Sequence, residues 1–221
     1  PSTILDRPDA VLSQSPMAPF PVELDRAFPR GAPAYPARPG DTDQLLEAER
    51  DELRARLNEE GGMTPGEVLA LTRYMEIRTL LATWAVSRDC NETGAQVPVP
   101  PVVIPSDIPA EFADYLRGAA AWHAGQTNEA RQAWARVLAL PEGARRYRST
   151  WAAYMLGRSF VDSNPDEAIR YLRQVRDEVD RGFADAVGLA AASLGWEARA
   201  ELLAGRPVRA IELYQSQREM G

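Results

Sequence analysis

The chain has 221 residues, 45% of them hydrophobic, which is enough for one full domain or for an extended array with a continuous core. Its formal net charge of −7 and isoelectric point near 4.9 argue against broad nucleic-acid binding, which needs a basic face to displace counterions from phosphates. All 25 basic residues are arginine, which excludes lysine-based Schiff-base or phosphate-loop chemistry, and the single cysteine (Cys90) and single histidine (His123) cannot build an internal disulfide or an ordinary zinc site.

No apolar run reaches the length of a membrane span. The opening Pro1-Ser2-Thr3, without initiator methionine or leader, reads as the start of a processed or excised chain. Residues 1–40 hold nine of the 18 prolines (Pro1, Pro8, Pro16, Pro19, Pro21, Pro29, Pro33, Pro36 and Pro39). Each removes a backbone donor and fixes φ, so this segment reads as an extended Pro-rich arm that lies against another surface through pegs such as Ile4, Leu12, Phe20 and Phe28.

A helical hairpin is expected over 41–88. Asp41-Thr42-Asp43-Gln44 offers an N-cap, Leu45, Leu46, Leu53 and Leu57 recur at helical spacing, and Gly61-Gly62 stops the helix. Thr64-Pro65-Gly66-Glu67 is a capping box with proline at the first helical position, opening a helix that runs to about Ser87. Residues 89–108 read as a proline-stiffened linker, with Asn91-Glu92-Thr93 matching the short glycosylation-acceptor pattern. From 109 to 221 helix and turn alternate, with helices expected at about 109–124, 128–139, 145–161, 165–180, 183–204 and 207–219. Thr127 and Asn164-Pro165 supply caps, and Gly205-Arg206-Pro207 separates the last two helices.

Residues 112–220 resemble the tetratricopeptide repeat. Gly118, Ala130 and Trp134 stand at the family's spacing, as do Ala198, Ala210 and Tyr214, while Gly157 and Ala168 fit with one residue missing from the turn. The alanines Ala130, Ala168 and Ala210 recur at 38 and 42 residues, longer than the family's regular repeat of about 34. The resemblance implies an all-α fold, an α-solenoid of antiparallel helix pairs carrying the Pro-rich arm. It also implies a concave groove lined by the first helix of each pair, which assigns Phe112, Tyr115, Trp122, His123, Trp151, Tyr154, Arg158, Arg199 and Leu202 to a partner-binding surface.

Arg145, Arg146 and Arg148 form a dense basic cluster in an acidic chain, a candidate anion-binding site that neighbouring acids such as Glu142 would otherwise neutralise. His123 has no second histidine or near carboxylate to work with, and a position near a helix C-terminus suits it electrostatically. The expectation is therefore a non-catalytic scaffold that binds a protein partner or a second copy of itself through groove and arm, with no cofactor, metal, nucleic acid or membrane span. The competing reading is a helical accessory domain of a bacterial cell-wall or carbohydrate-active enzyme, with Glu197 and Glu201 as a carboxylate pair. The opening of the arm is similar to mature exported bacterial helical-repeat proteins, which leans localisation toward the periplasm or export.

Overall fold

The computed structural model describes residues 42–59, 61–89 and 98–220. The arm over 1–40, the cap at Asp41, Cys90 and the Asn91-Glu92-Thr93 acceptor lie outside the described residues. Among those described there are eight α-helices and no strand: α1 Thr42–Asn58, α2 Pro65–Asp89, α3 Ala110–His123, α4 Thr127–Ala139, α5 Ser149–Phe160, α6 Pro165–Asp180, α7 Leu189–Leu203 and α8 Pro207–Met220.

Local chemistry sets most of these boundaries. At the head of α2 the Thr64 amide donates to Glu67 Oε2 at 2.7 Å and the Glu67 amide donates back to Thr64 Oγ1 at 3.3 Å, so two orphan donors are satisfied reciprocally. Asn164 Oδ1 accepts from the Glu167 amide at the head of α6, with Pro165 at the first helical position. Gly125 and Gly205, at φ 74° and 75°, end α3 and α7 in the left-handed region. The amides after them reach back to Ala121 O and Glu201 O at 2.9 and 2.8 Å, closing the last turn.

Three expected starts move. Thr127 is the first residue of α4 rather than its cap; Gln126 occupies that position with no side-chain bond. Helix α5 begins at Ser149, not 145, because a 3₁₀ turn at Glu142–Ala144 intervenes and Glu111 Oε2 holds the Tyr147 and Arg148 amides at 3.0 and 2.8 Å. Helix α7 begins at Leu189, not 183. Residues 183–188 are held instead by tertiary bonds, with the Ala184 amide donating to Arg146 O and the Thr150 hydroxyl to Ala184 O. Asp185 then accepts the Leu189 and Ala190 amides at 2.6 and 3.1 Å.

Helices adjacent in sequence pack against each other from α3 to α8, and α3, α5 and α7 additionally touch in series. Small residues allow the closest approaches. A Cβ built on Gly118 would sit 2.2 Å from Trp134 Nε1, and one on Gly157 would sit 2.6 Å from Leu172 Cγ. Ala198 and Ala210 are fully buried with Leu194 and Leu213 between α7 and α8, while Tyr214 stays 44% exposed. The α1–α2 hairpin covers α3, joining Leu53, Leu57, Tyr74, Met75 and Leu81 to Phe112 and Leu116. The described part of the linker packs on the same core through Val99, Val102 and Ile104.

Gly118→Ala should lower stability by about 1–3 kcal/mol in chemical unfolding, because the methyl must displace the buried indole. Gly143→Ala, whose Cβ meets nothing within 4 Å, should be within about 0.5 kcal/mol of wild type.

Candidate functional site

Where α1, α2, α3 and the approach to α5 meet, the interior is polar. Arg148 is fully buried, with its guanidinium 4.6 Å from the Phe112 ring centroid, 5.0 Å from Trp151 and 5.4 Å from Tyr115. Its Nη2 donates to Glu52 Oε2, and its Nη1 lies 3.7 Å from Glu49 Oε1. Glu49, itself 1% exposed, also accepts from the Tyr74 hydroxyl and from Arg78 Nε at 2.8 Å. Glu111 is wholly buried beside them, with Arg56 Nε 3.7 Å from its Oε1.

These carboxyls share a site but not an environment. Burial pushes Glu49 up, but Arg78 and Arg148 and the bonds from Tyr74 and Arg78 outweigh it and hold the group below the ordinary carboxylate range. Burial raises Glu52 to about 7; Arg148 opposes the rise, while Glu49, Glu111 and Asp185 add to it. Burial likewise raises Glu111, opposed by the Arg148 and Tyr147 amides. Glu52 also lines a cavity of about 630 Å³ between α1 and the connections that precede α5 and α7.

The expected groove residues therefore divide. Phe112, Tyr115 and Trp151 belong to the core, where they cradle Arg148, because the α1–α2 hairpin and Arg148 cover the faces that a groove would have left open. Trp122 is half-buried with its ring 6.0 Å from that of Trp134, and His123 stands edge-on to Trp84 at 5.4 Å. Tyr154, Arg158 and Arg199 do come together at the surface of α5 and α7, around a residue the sequence reading passed over. The Arg158 guanidinium lies 4.6 Å and that of Arg199 5.6 Å from the Trp196 ring, and Arg158 is 5.8 Å from Tyr154. Arg199 is exposed and pairs with Asp162 at 2.9 Å; Leu202 is also exposed.

The basic cluster is not one site. Arg145 is buried against Glu178 at 2.8 Å with Ser149 and Leu140 O as further acceptors, Arg148 is committed to Glu52 and Glu49, and only Arg146 is exposed. Each of the two buried guanidiniums is drawn to a buried acid on another helix, which leaves no shared face for an anion. Glu197 and Glu201 are buried too, and Arg173, Arg176 and Arg206 hold them. Among the described residues, no group of three or more His, Cys, Asp or Glu side chains could hold a metal ion.

Glu49, Glu52, Glu111 and Arg78 escaped the sequence reading, although one signal was present. Glu49 lies in the stripe formed by Leu46, Leu53 and Leu57, and a charge on an apolar helix face needs a buried partner. No protein-family model, curated protein or solved structure matches the chain.

Arg148→Ala should cost about 3–5 kcal/mol, since it strands two buried carboxyls, whereas Arg146→Ala should stay within about 0.5 kcal/mol of wild type in the same denaturant titration. Glu52 carries a second expectation. Its folded-state pKa lies above the unfolded value, so the protonated folded state is favoured below pH 4.5 and that advantage is lost as pH rises toward 7. Wild type should thus lose about 2–3 kcal/mol relative to Glu52→Gln between pH 4.5 and 8, measured as the pH dependence of unfolding free energy.

Proposed function

We propose that the protein is a non-catalytic helical-repeat scaffold that binds another protein, or a second copy of itself, through the α5–α7 surface. The observation that carries this reading is the cluster of Tyr154, Arg158, Trp196 and Arg199. Arginine and aromatic side chains, stacked together and partly open to solvent, have the composition of interaction hot spots: large contact area, few freely rotating bonds and a donor fork for carboxylates. The serial contact of α3, α5 and α7 supports the repeat architecture, because in a solenoid the first helices of successive pairs line one side. The repeat reading and the Pro-rich arm over 1–40 as a second contact belong to the same proposal.

The surface is narrower than a full concave groove would be. Its inner end is closed by the α1–α2 hairpin, and what remains for a partner is the stretch from Tyr154 toward Leu202 and Leu203, which are 48% and 54% exposed. Arg199→Glu keeps the fold intact, being at an exposed position, and reverses the charge a partner would meet. Bound proteins quantified after affinity capture, together with sedimentation velocity for self-association, should show association weakened roughly 30-fold by Arg199→Glu or Trp196→Ala. Arg170→Glu, on α6 away from that cluster, should leave association unchanged. Equal association by all four proteins would contradict the proposal.

A further inference from the structure

Among the described residues, the large apolar side chains left well exposed are unevenly placed. Apart from Val103 they lie on α2, as Leu69 and Leu80 do, or on α7 and α8, as Val208 and Ile211 do, and none is on α1 or on α3 to α6. The apolar surface left to water is therefore concentrated at the two ends of the described helices, and contiguous patches of this kind mark contact sites. In a stacked array each layer buries its face on the next, so an apolar end face has room for one more layer.

The two ends differ in shape. Between α1 and α2 runs a groove of about 650 Å³, with the buried Leu71 and Met75 at its base, Arg50 and Arg54 on the α1 side and Glu76 and Leu80 on the α2 side. At α8 the shape is a ridge. Ala210 and Leu213 are buried toward α7, so Val208 and Ile211, 72% and 56% exposed, stand on the far side of the helix. Beside them Arg209 and Glu212 pair at 2.9 Å with both side chains about half exposed. The groove wall from Leu71 to Thr83 is about 18 Å long, enough to take the stretch of α8 from Val208 to Gln215, which is about 10 Å. The charges match as well: Arg50 and Arg54 are counterparts for Glu212, and Glu76 is one for Arg209. Arg54 meets its own acid, Asp51, only at 3.8 Å with both well exposed, a pair that contributes little and is easily exchanged.

We propose that the α8 ridge of one copy of this chain seats in the α1–α2 groove of a second copy, so that copies associate head to tail. Val208 and Ile211 enter beside Leu80 and the stems of Arg50 and Arg54, while Glu212 meets those two guanidiniums and Arg209 meets Glu76. A ridge set into a groove buries both, whereas α8 against α8 would set ridge on ridge and leave the groove open. The contact joins unlike faces, so each added copy presents one free groove or ridge, and assembly proceeds until a ring closes or a fibre grows. This assigns the second copy to the ends and leaves the α5–α7 surface to a different protein.

The test is sedimentation velocity of the full chain across a concentration series. In the wild type the weight-average mass should rise with concentration. Leu80→Asp and Ile211→Asp, both at exposed positions, should each stay monomeric, because each has lost one of the two faces. Mixed together they should form a heterodimer and nothing larger, since one intact groove and one intact ridge remain between them. Glu212→Arg should weaken self-association roughly tenfold, and mixing it with a chain carrying Arg50→Glu and Arg54→Glu should restore it. Thr79→Arg, exposed and in the same groove, replaces Leu80→Asp should that variant fold poorly. A wild type that is monomeric throughout would give the groove to another segment or protein and overturn the proposal. Failure of the two monomeric variants to associate on mixing would also overturn it, as would undiminished self-association of Leu80→Asp, which would mean that α8 pairs with itself. Loss of self-association in Arg199→Glu would place the second copy at the α5–α7 surface and overturn it too; that variant should otherwise associate as the wild type does.

Discussion

Arg148 is a guanidinium taken fully out of water, and the packing of the first half of the described chain follows from that. A buried charge is tolerable only when paired and hydrogen-bonded, so the residues around it are constrained together: Glu52 and Glu49 from α1, Phe112 and Tyr115 from α3, Trp151 from α5. Arg78 brings α2 into the same network through Glu49. Three rings around one cation also replace part of its lost hydration, since each presents a negative face to the guanidinium. The hairpin is thus joined to the array by apolar packing and by charges that cannot be separated without exposing an uncompensated ion.

The second half uses the same device at lower burial. Arg173 and Arg176 of α6 reach Glu197 of α7, and Arg206, just before α8, reaches Glu201. There the arginines keep access to water while the acids do not: Arg173 and Arg206 are about half exposed, and Glu197 and Glu201 are buried. An arginine-only repertoire of cations suits this role, because the planar fork can span two acceptors on different helices and its charge survives burial. Placing the acids inside and the arginines at the edge leaves the Tyr154–Trp196 surface rich in guanidinium groups despite the acidic composition of the whole.

Helix positions were largely legible because their signals are local. Thr64 with Glu67, Asn164 with Pro165, and Gly125 and Gly205 each act within one turn of chain, and each does so in the structure. Gly118, Ala130 and Trp134 stood out as packing positions, and in the structure Ala130 and Trp134 are fully buried with the Trp134 indole against Gly118. The displaced starts of α5 and α7 were not legible, because Glu111 holds Tyr147 from 36 residues away and Thr150 holds Ala184 from 34. The same limit hid the site. The repeat resemblance assigns Phe112, Tyr115 and Trp151 to a groove, and only the placement of α1 and of Arg148 over them turns them into core. Arg145, Arg146 and Arg148 look like one patch in sequence, yet their side chains go to three different surroundings because they lie in the connection between the 3₁₀ turn and α5 rather than on one helix face.

The buried charges should make the hairpin and the helices that follow it one cooperative unit. Native-state hydrogen exchange reads this directly, as the opening free energy of α1 and α2 amides beside those of α3 and α5. In the wild type these four helices should share one opening free energy, and in Arg148→Met α1 and α2 should open separately, several kcal/mol below α6 to α8. Independent opening of α1 and α2 in the wild type, or no separation in Arg148→Met, would contradict it.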